Sequence, residues 1–193
     1  MSTSESVSHT ASELHPAARI TSNWVERVVV GLNFCPFAKR EFMQERIHYR
    51  VMESDADTAL LSMLNECQRL DEEPEIETTL LIFNDSLQDF DDFLVLVDIA
   101  TELLREQGYE GIYQLATFHP DYRFAGCPPD DPANYTNRSP YPMLHLIREA
   151  SLTRVLANHP DPDSIPDTNI EKAREMGLGK LQSLLAGCVE PGS

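Results

Sequence analysis

The sequence predicts an α/β fold: a helix, then a β-α-β-α-β run with a mainly parallel sheet, then a long ordered loop and C-terminal helices. Three observations carry this expectation. Short strand-like runs alternate with longer segments of helical period, and each run is bounded by Gly, Pro or acidic turn formers. Helical crossovers between strands also favour parallel pairing with right-handed connections.

The first helix is read from Ser22, where Trp24, Val28 and Leu32 recur every four positions, and Gly31 and Pro36 place its end near Asn33 to Cys35. "IHYRVMES" alternates Ile47, Tyr49 and Val51 against His48 and Arg50, the period of a half-buried strand. Leu60, Met63, Leu64 and Cys67 then share a helical face. "TTLLIF" is short and apolar enough for a strand buried on both sides. The acidic "DSLQDFDD" suits a helix N-terminus, and Phe93, Leu96, Val97, Ala100, Leu103 and Leu104 form the stripe that Gly108 ends. "GIYQLATF" supplies the third strand. After the irregular stretch from His119 to Tyr141, Ser139 is positioned to cap a helix through "MLHLIREASLTRVL", with Pro142 in its first turn. A last helix spans roughly Asp167 to Leu185, after the linker "NHPDPDSIPD".

A chain of 193 residues with ordinary apolar content suits one domain. Residues 1–20, rich in Ser and Thr, read as a disordered lead-in, 21–187 as a single α/β domain and 188–193 as a flexible tail. A formal net charge of -17 repels phosphate backbones and anionic lipid, so neither nucleic acid nor a membrane surface is expected as a partner. The four cysteines, Cys35, Cys67, Cys127 and Cys188, are widely spaced without a CxxC pair, which points away from a zinc ribbon or a disulfide framework. With no signal-like or membrane-spanning segment, a cytoplasmic location is expected.

In open parallel sheets ligands bind beyond the carboxyl ends of strands, and His119 stands at that end of the third strand. The long connection after it, with Tyr122, Phe124, Tyr135 and Tyr141, reads as an ordered binding loop. Arg123, Arg138 and Arg148 offer planar forks suited to a carboxylate or phosphate, or else pair with local acids to pin the loop. The expected partner is therefore a small anionic metabolite. Arg123 and Arg138 would orient it, with Asn134, Asn137, Ser139, Tyr141, His145 and Arg148 completing the binding set. His119 would move a proton, with Asp121 fixing its tautomer and Tyr122 adding a hydrogen bond. On the expected helix His145, Arg148 and Glu149 share one face. His119, Asp121 and His145 also make a possible two-histidine, one-carboxylate metal set, though no metal is assigned and the cofactor is unknown.

Cys35 carries a rival reading. If it starts a helix through "PFAKREF", the helix dipole and Lys39 and Arg40 would activate its thiolate, and Cys35 to Ala38 resemble the redox motif of glutaredoxins and omega-class glutathione transferases. If the preceding helix ends at Cys35, the thiol is a buried structural residue, which the periodicity favours.

The motifs "GLNFCPFAK", "TTLLIF", "DFDDFL", "YQLATFHPDYRFAG", "PPDDPANYTNRSPYPMLHLIREAS" and "HPDPDSIPDTNI" together resemble the uncharacterised bacterial and plant family catalogued as domain of unknown function 1415. The resemblance runs from about Asn23 to Gly177 and implies no reaction. It carries over Cys35, Pro36, Phe37, His119, Pro120, Asp121, Tyr122, Phe124, Gly126, Asn134, Tyr135, Asn137, Arg138, Ser139, Tyr141 and His145 as motif residues without assigned roles. Whether the protein is an enzyme is left open by the residues. Three classes stand: an enzyme or binder of an anionic metabolite, a thiol-dependent redox protein using Cys35, and a non-catalytic interaction module.

Overall fold

The computed structural model describes residues 14–52, 56–157 and 161–189. The expected lead-in therefore lies outside the described residues for 1–13, and the expected tail does so for 190–193. Helix α1 (Pro16–Trp24) starts earlier than Ser22, because Pro16 sits in the first turn, where its missing N–H has no intrahelical partner to lose. His15 Nδ1 accepts the Ala17 N–H at 3.2 Å. The helix widens into a π-helical segment, Val25–Val30. Gly31 follows where the Arg27 carbonyl approaches too closely to admit any Cβ, and α2 (Ala38–Met43) comes after a turn.

Strands β1 (Ile47–Met52), β2 (Thr78–Phe83), β3 (Tyr113–Phe118) and β4 (Met143–Arg148) form one four-stranded sheet in the order β1-β2-β4-β3. β1 and β2 pair in parallel, while β4 runs antiparallel to both β2 and β3. The three strands read from sequence do share one direction. The expectation of a mainly parallel sheet is nevertheless corrected to a mixed one, because β4 is inserted between β2 and β3. The single helix expected after Ser139 is corrected with it: "MLHLIR" is β4, and only Glu149–Leu156 is helical, as α5. His145 and Arg148 are thus strand residues and Glu149 begins α5, so the expected shared helical face does not exist. A short, largely apolar run fits either period, and here the two flanking strand edges, each needing backbone partners, select the strand.

The sheet separates two cores. Helices α3 (Ala56–Glu72) and α4 (Phe90–Glu106) bury Met63, Cys67, Phe93 and Ala100 against Leu81, Phe83, Leu144 and Leu146. Asp89 caps α4, its Oδ1 accepting the N–H groups of Asp91 and Asp92 at 2.9 and 3.1 Å. On the other face, α1 and the π segment pack with α6 (Ile165–Met176) and α7 (Leu178–Val189) over Leu80, Ile82 and Met143. The one helix expected here is two, because Gly177 takes a φ of 79° and stops α6. Cys188, expected in the tail, is buried on α7 in the second core. No helix among the described residues is long and apolar enough to cross a membrane.

Candidate functional site

The polar residues of the loop after β3 bond to main-chain groups of the loop and of the segments beside it. His119 is fully buried. Its Nδ1 accepts the Asp121 main-chain N–H at 3.0 Å, which leaves Nε2 as the protonated nitrogen, donating to the Leu87 carbonyl at 3.0 Å. Burial pushes the His119 pKa down, against smaller opposing effects of the Leu87 bond and of Asp121 and Asp89. It is the Asp121 main chain, not its carboxylate, that bonds to the His119 ring, and the residue is exposed. Asn134, also fully buried, accepts the Phe124 N–H at 3.0 Å and donates to the Pro128 carbonyl at 2.9 Å. Asn137 Nδ2 donates to the Thr117 carbonyl at 3.1 Å, and Ser139 Oγ to the Tyr141 carbonyl at 2.6 Å.

The arginines follow the same pattern. Arg138 donates to the carbonyls of Tyr122 at 3.2 Å and Pro129 at 2.7 Å and lies over the Tyr135 ring. Arg148 donates to the carbonyls of Leu70, Glu73 and Ile76, closing the C-terminal end of α3. Arg123 is exposed. Tyr122 and Tyr141 are half-buried, and burial raises both hydroxyl pKa values. The guanidinium forks expected to hold an anion thus already hold carbonyls in two of the three cases. Nor are His119, Asp121 and His145 assembled: among the described residues no group of three or more His, Cys, Asp or Glu is placed to hold a metal ion.

The open space lies on the α6 face of the sheet. Strand register makes three rows across that face: Ile47, Thr78, Ile147 and Gln114; Tyr49, Leu80, His145 and Ala116; Val51, Ile82, Met143 and Phe118. In the third row Ile82 and Met143 are sealed in the core. Most of the first two rows floors a cavity of about 410 Å³. Trp24, Val25 and Val29 wall it on one side, Leu152 and Val155 of α5 and Ile165 and Ile170 of α6 on others. The lining is mainly apolar, and the polar groups on it are few and fixed.

His145 is the central one. Its Nε2 lies 2.6 Å from Thr78 Oγ1, and the Thr78 hydroxyl donates its own proton to the Leu146 carbonyl at 2.5 Å. The hydroxyl must therefore accept from His145, so Nε2 carries the proton and Nδ1 holds a lone pair without a bonded partner among the described residues. Burial pushes the His145 pKa down to about 4, and the imidazole is neutral near pH 7.

The family model described as "Protein of unknown function (DUF1415)" matches residues 17–183. The chain belongs to that family. All cavity-lining residues, from Trp24 to Ile170, fall inside the span matched by the DUF1415 model. No curated protein and no solved structure matches the chain.

Cys35 lies on the cavity wall of this DUF1415 member, half-buried, between the π segment and α2. Burial raises its thiol pKa, and the N–H groups of Phe37 and Ala38 offset this only in part. Cys35 neither starts α2, which begins at Ala38, nor ends the preceding helical segment, which stops at Val30, and the two nearby N–H groups are outweighed by desolvation. Sequence reasoning did not single out Glu41, Glu77, Thr78 or Gln114, all of which line the cavity. One signal for Glu77 was available: an acidic side chain adjoining a strand buried at every position has little room to reach water.

Proposed function

We propose that this protein binds a small, largely apolar organic molecule in the cavity over β2, β4 and β3. The observation that carries this is His145: a neutral imidazole on an apolar floor, with one nitrogen tied to Thr78 and the other presented without a partner. A volume of about 410 Å³ falls in the range of small-molecule sites, which combine apolar walls with a few placed polar groups. Thr78 holds the ring in one tautomer, so Nδ1 is ready to accept a hydrogen bond from an N–H or O–H of the ligand at no cost in ring reorientation. The same lone pair is the group that would take a proton if the ligand reacts.

An anionic metabolite at the loop after β3 is less well supported, since Arg138 and Arg148 are engaged with carbonyls. A thiol reaction at Cys35 is disfavoured by its raised pKa.

Trp24 is the sole tryptophan of the chain and lines the cavity, so its fluorescence reports on occupancy. Titration with 1-octanol, indole and naphthalene should shift its emission saturably and raise the melting temperature with at least one of them. If no apolar compound does either, the cavity is not a binding site.

A further inference from the structure

At one end of the cavity stand two carboxylates that the apolar walls do not explain. Glu77 is 8% exposed, and its Oε1 is buried with no hydrogen-bond partner. Its other oxygen is 2.7 Å from Arg46 Nη2. Glu41 Oε2 lies 3.1 Å from Arg46 Nη1 yet receives no well-directed hydrogen bond, and it too is buried. Both glutamates line the apolar cavity and also a smaller polar one of about 290 Å³ beside it.

The placement is built into the sheet. The Glu77 N–H donates to the Arg46 carbonyl at 2.8 Å, extending the β1–β2 ladder by one step, so the two side chains leave neighbouring strands together. Arg46 also serves main-chain acceptors: Nε donates to the Glu75 carbonyl at 3.1 Å and Nη2 to the Pro74 carbonyl at 3.2 Å. It is one positive charge between two carboxylates. Arg40 Nε is 3.8 Å from Glu41 Oε1, but its side chain is 67% exposed, where water screens it. Arg154, also beside the polar cavity, is exposed and bonded to Ser151 Oγ at 2.6 Å.

We propose that this end of the cavity recognises a protonated amine, so that the ligand is an amphipathic monocation with its apolar body over the sheet floor. The inference rests on the cavity reading above and adds the head group. A buried carboxylate oxygen with no donor loses its water without recompense, and an ammonium supplies both the donor and the missing positive charge. A carboxylate or phosphate head would face two like charges at close range. A hydroxyl head would satisfy the oxygen but leave the charge.

Octylamine, 1-octanol and octanoate share one chain and differ only in the head. Their affinities are read from Trp24 fluorescence and the shift in melting temperature. In the wild-type protein octylamine should bind at least about tenfold more tightly than 1-octanol, the scale of a charge-assisted hydrogen bond, and octanoate more weakly than either. Glu77→Gln should remove the preference for the amine, so that octylamine binds the variant no more than about twofold more tightly than 1-octanol does. Equal binding of the amine and the alcohol to the wild type, or a preference for octanoate, overturns the amine site while leaving the cavity reading intact. Failure of all three to bind overturns both. The wild-type ranking decides the question even if Glu77→Gln does not fold.

Discussion

His145 Nε2 and Thr78 Oγ1, on adjacent antiparallel strands, stand 2.6 Å apart, and that pair fixes the tautomer of an imidazole that burial keeps neutral. A histidine that remains neutral down to about pH 4 binds fewer protons folded than unfolded, where its pKa is near the ordinary 6.5. Folding stability therefore falls as pH drops from 6.5 towards 4, and this contribution levels off below. His119 and His48, both lowered mainly by burial, act in the same direction. From the shift of His145 alone the loss is about 2 kcal/mol between pH 7 and 4.5. Urea unfolding of wild type and His145→Gln at both pH values should show a smaller pH dependence in the variant. An unchanged dependence would mean that His145 is not held neutral.

Arg148→Leu should destabilise the protein by about 2 kcal/mol or more, because the carbonyls of Leu70, Glu73 and Ile76 lose their shared donor at the end of α3. Cavity binding should survive, since Arg148 does not line the cavity. Denaturant unfolding reads the first effect and the Trp24 response the second. Loss of binding in a folded variant would restore Arg148 to the ligand site.

His119 should show the Nε2–H tautomer, which nitrogen chemical shifts of the labelled imidazole detect directly. Replacing it with Ala leaves the Leu87 carbonyl and the Asp121 N–H unpaired, at a cost of about 3 kcal/mol with the packing lost. Amides of the loop from 119 to 141 should then exchange faster. An Nδ1–H tautomer would contradict the pairing of His119 with the Leu87 carbonyl and the Asp121 N–H.

The residues of that loop illustrate what sequence can and cannot carry. Its length, aromatics and prolines made its order legible, and its polar residues marked it as special. What they do not encode is who their partners are: Asn134, Asn137 and Arg138 could face a ligand or a carbonyl, and only the folded chain brings Phe124, Thr117 and Pro129 to them. Three strands were readable because each is a short run between clear turn formers, alternating in "IHYRVM" and continuously apolar in "TTLLIF". β4 was not, because the apolar run "MLHLI" suits two periods and its place between β2 and β3 is a long-range fact. The cavity is less legible still, since it depends on register: Thr78, His145 and Ala116 meet only after three strands align.

Cys35 should react slowly. With its pKa raised by burial, the thiolate fraction at neutral pH is below that of a free thiol, and iodoacetamide alkylation of the folded protein should lag behind that of glutathione. Cys67, whose thiol is pushed up to about 12 by burial and by Asp71 and Glu66, should be slower again. Mass mapping of the alkylated sites separates the two. Alkylation of Cys35 faster than glutathione would revive the redox reading.

Ala116 separates a cavity kept for a ligand from a packing defect. It lies opposite His145 on the floor, in a strand where a β-branched side chain is well accommodated. Ala116→Ile adds three methyl or methylene groups over apolar walls, and at about 0.8 kcal/mol for each buried group it should stabilise the empty protein by roughly 1–2 kcal/mol after the side chain's lost freedom is counted. The same atoms occupy the space a ligand needs. Binding of octanol or octylamine should therefore weaken while the melting temperature rises, two effects of opposite sign from one substitution. A packing defect predicts only the first gain, with no ligand response to lose, whereas a space maintained for binding predicts both, because the native alanine then leaves stability unrealised in order to keep the floor open.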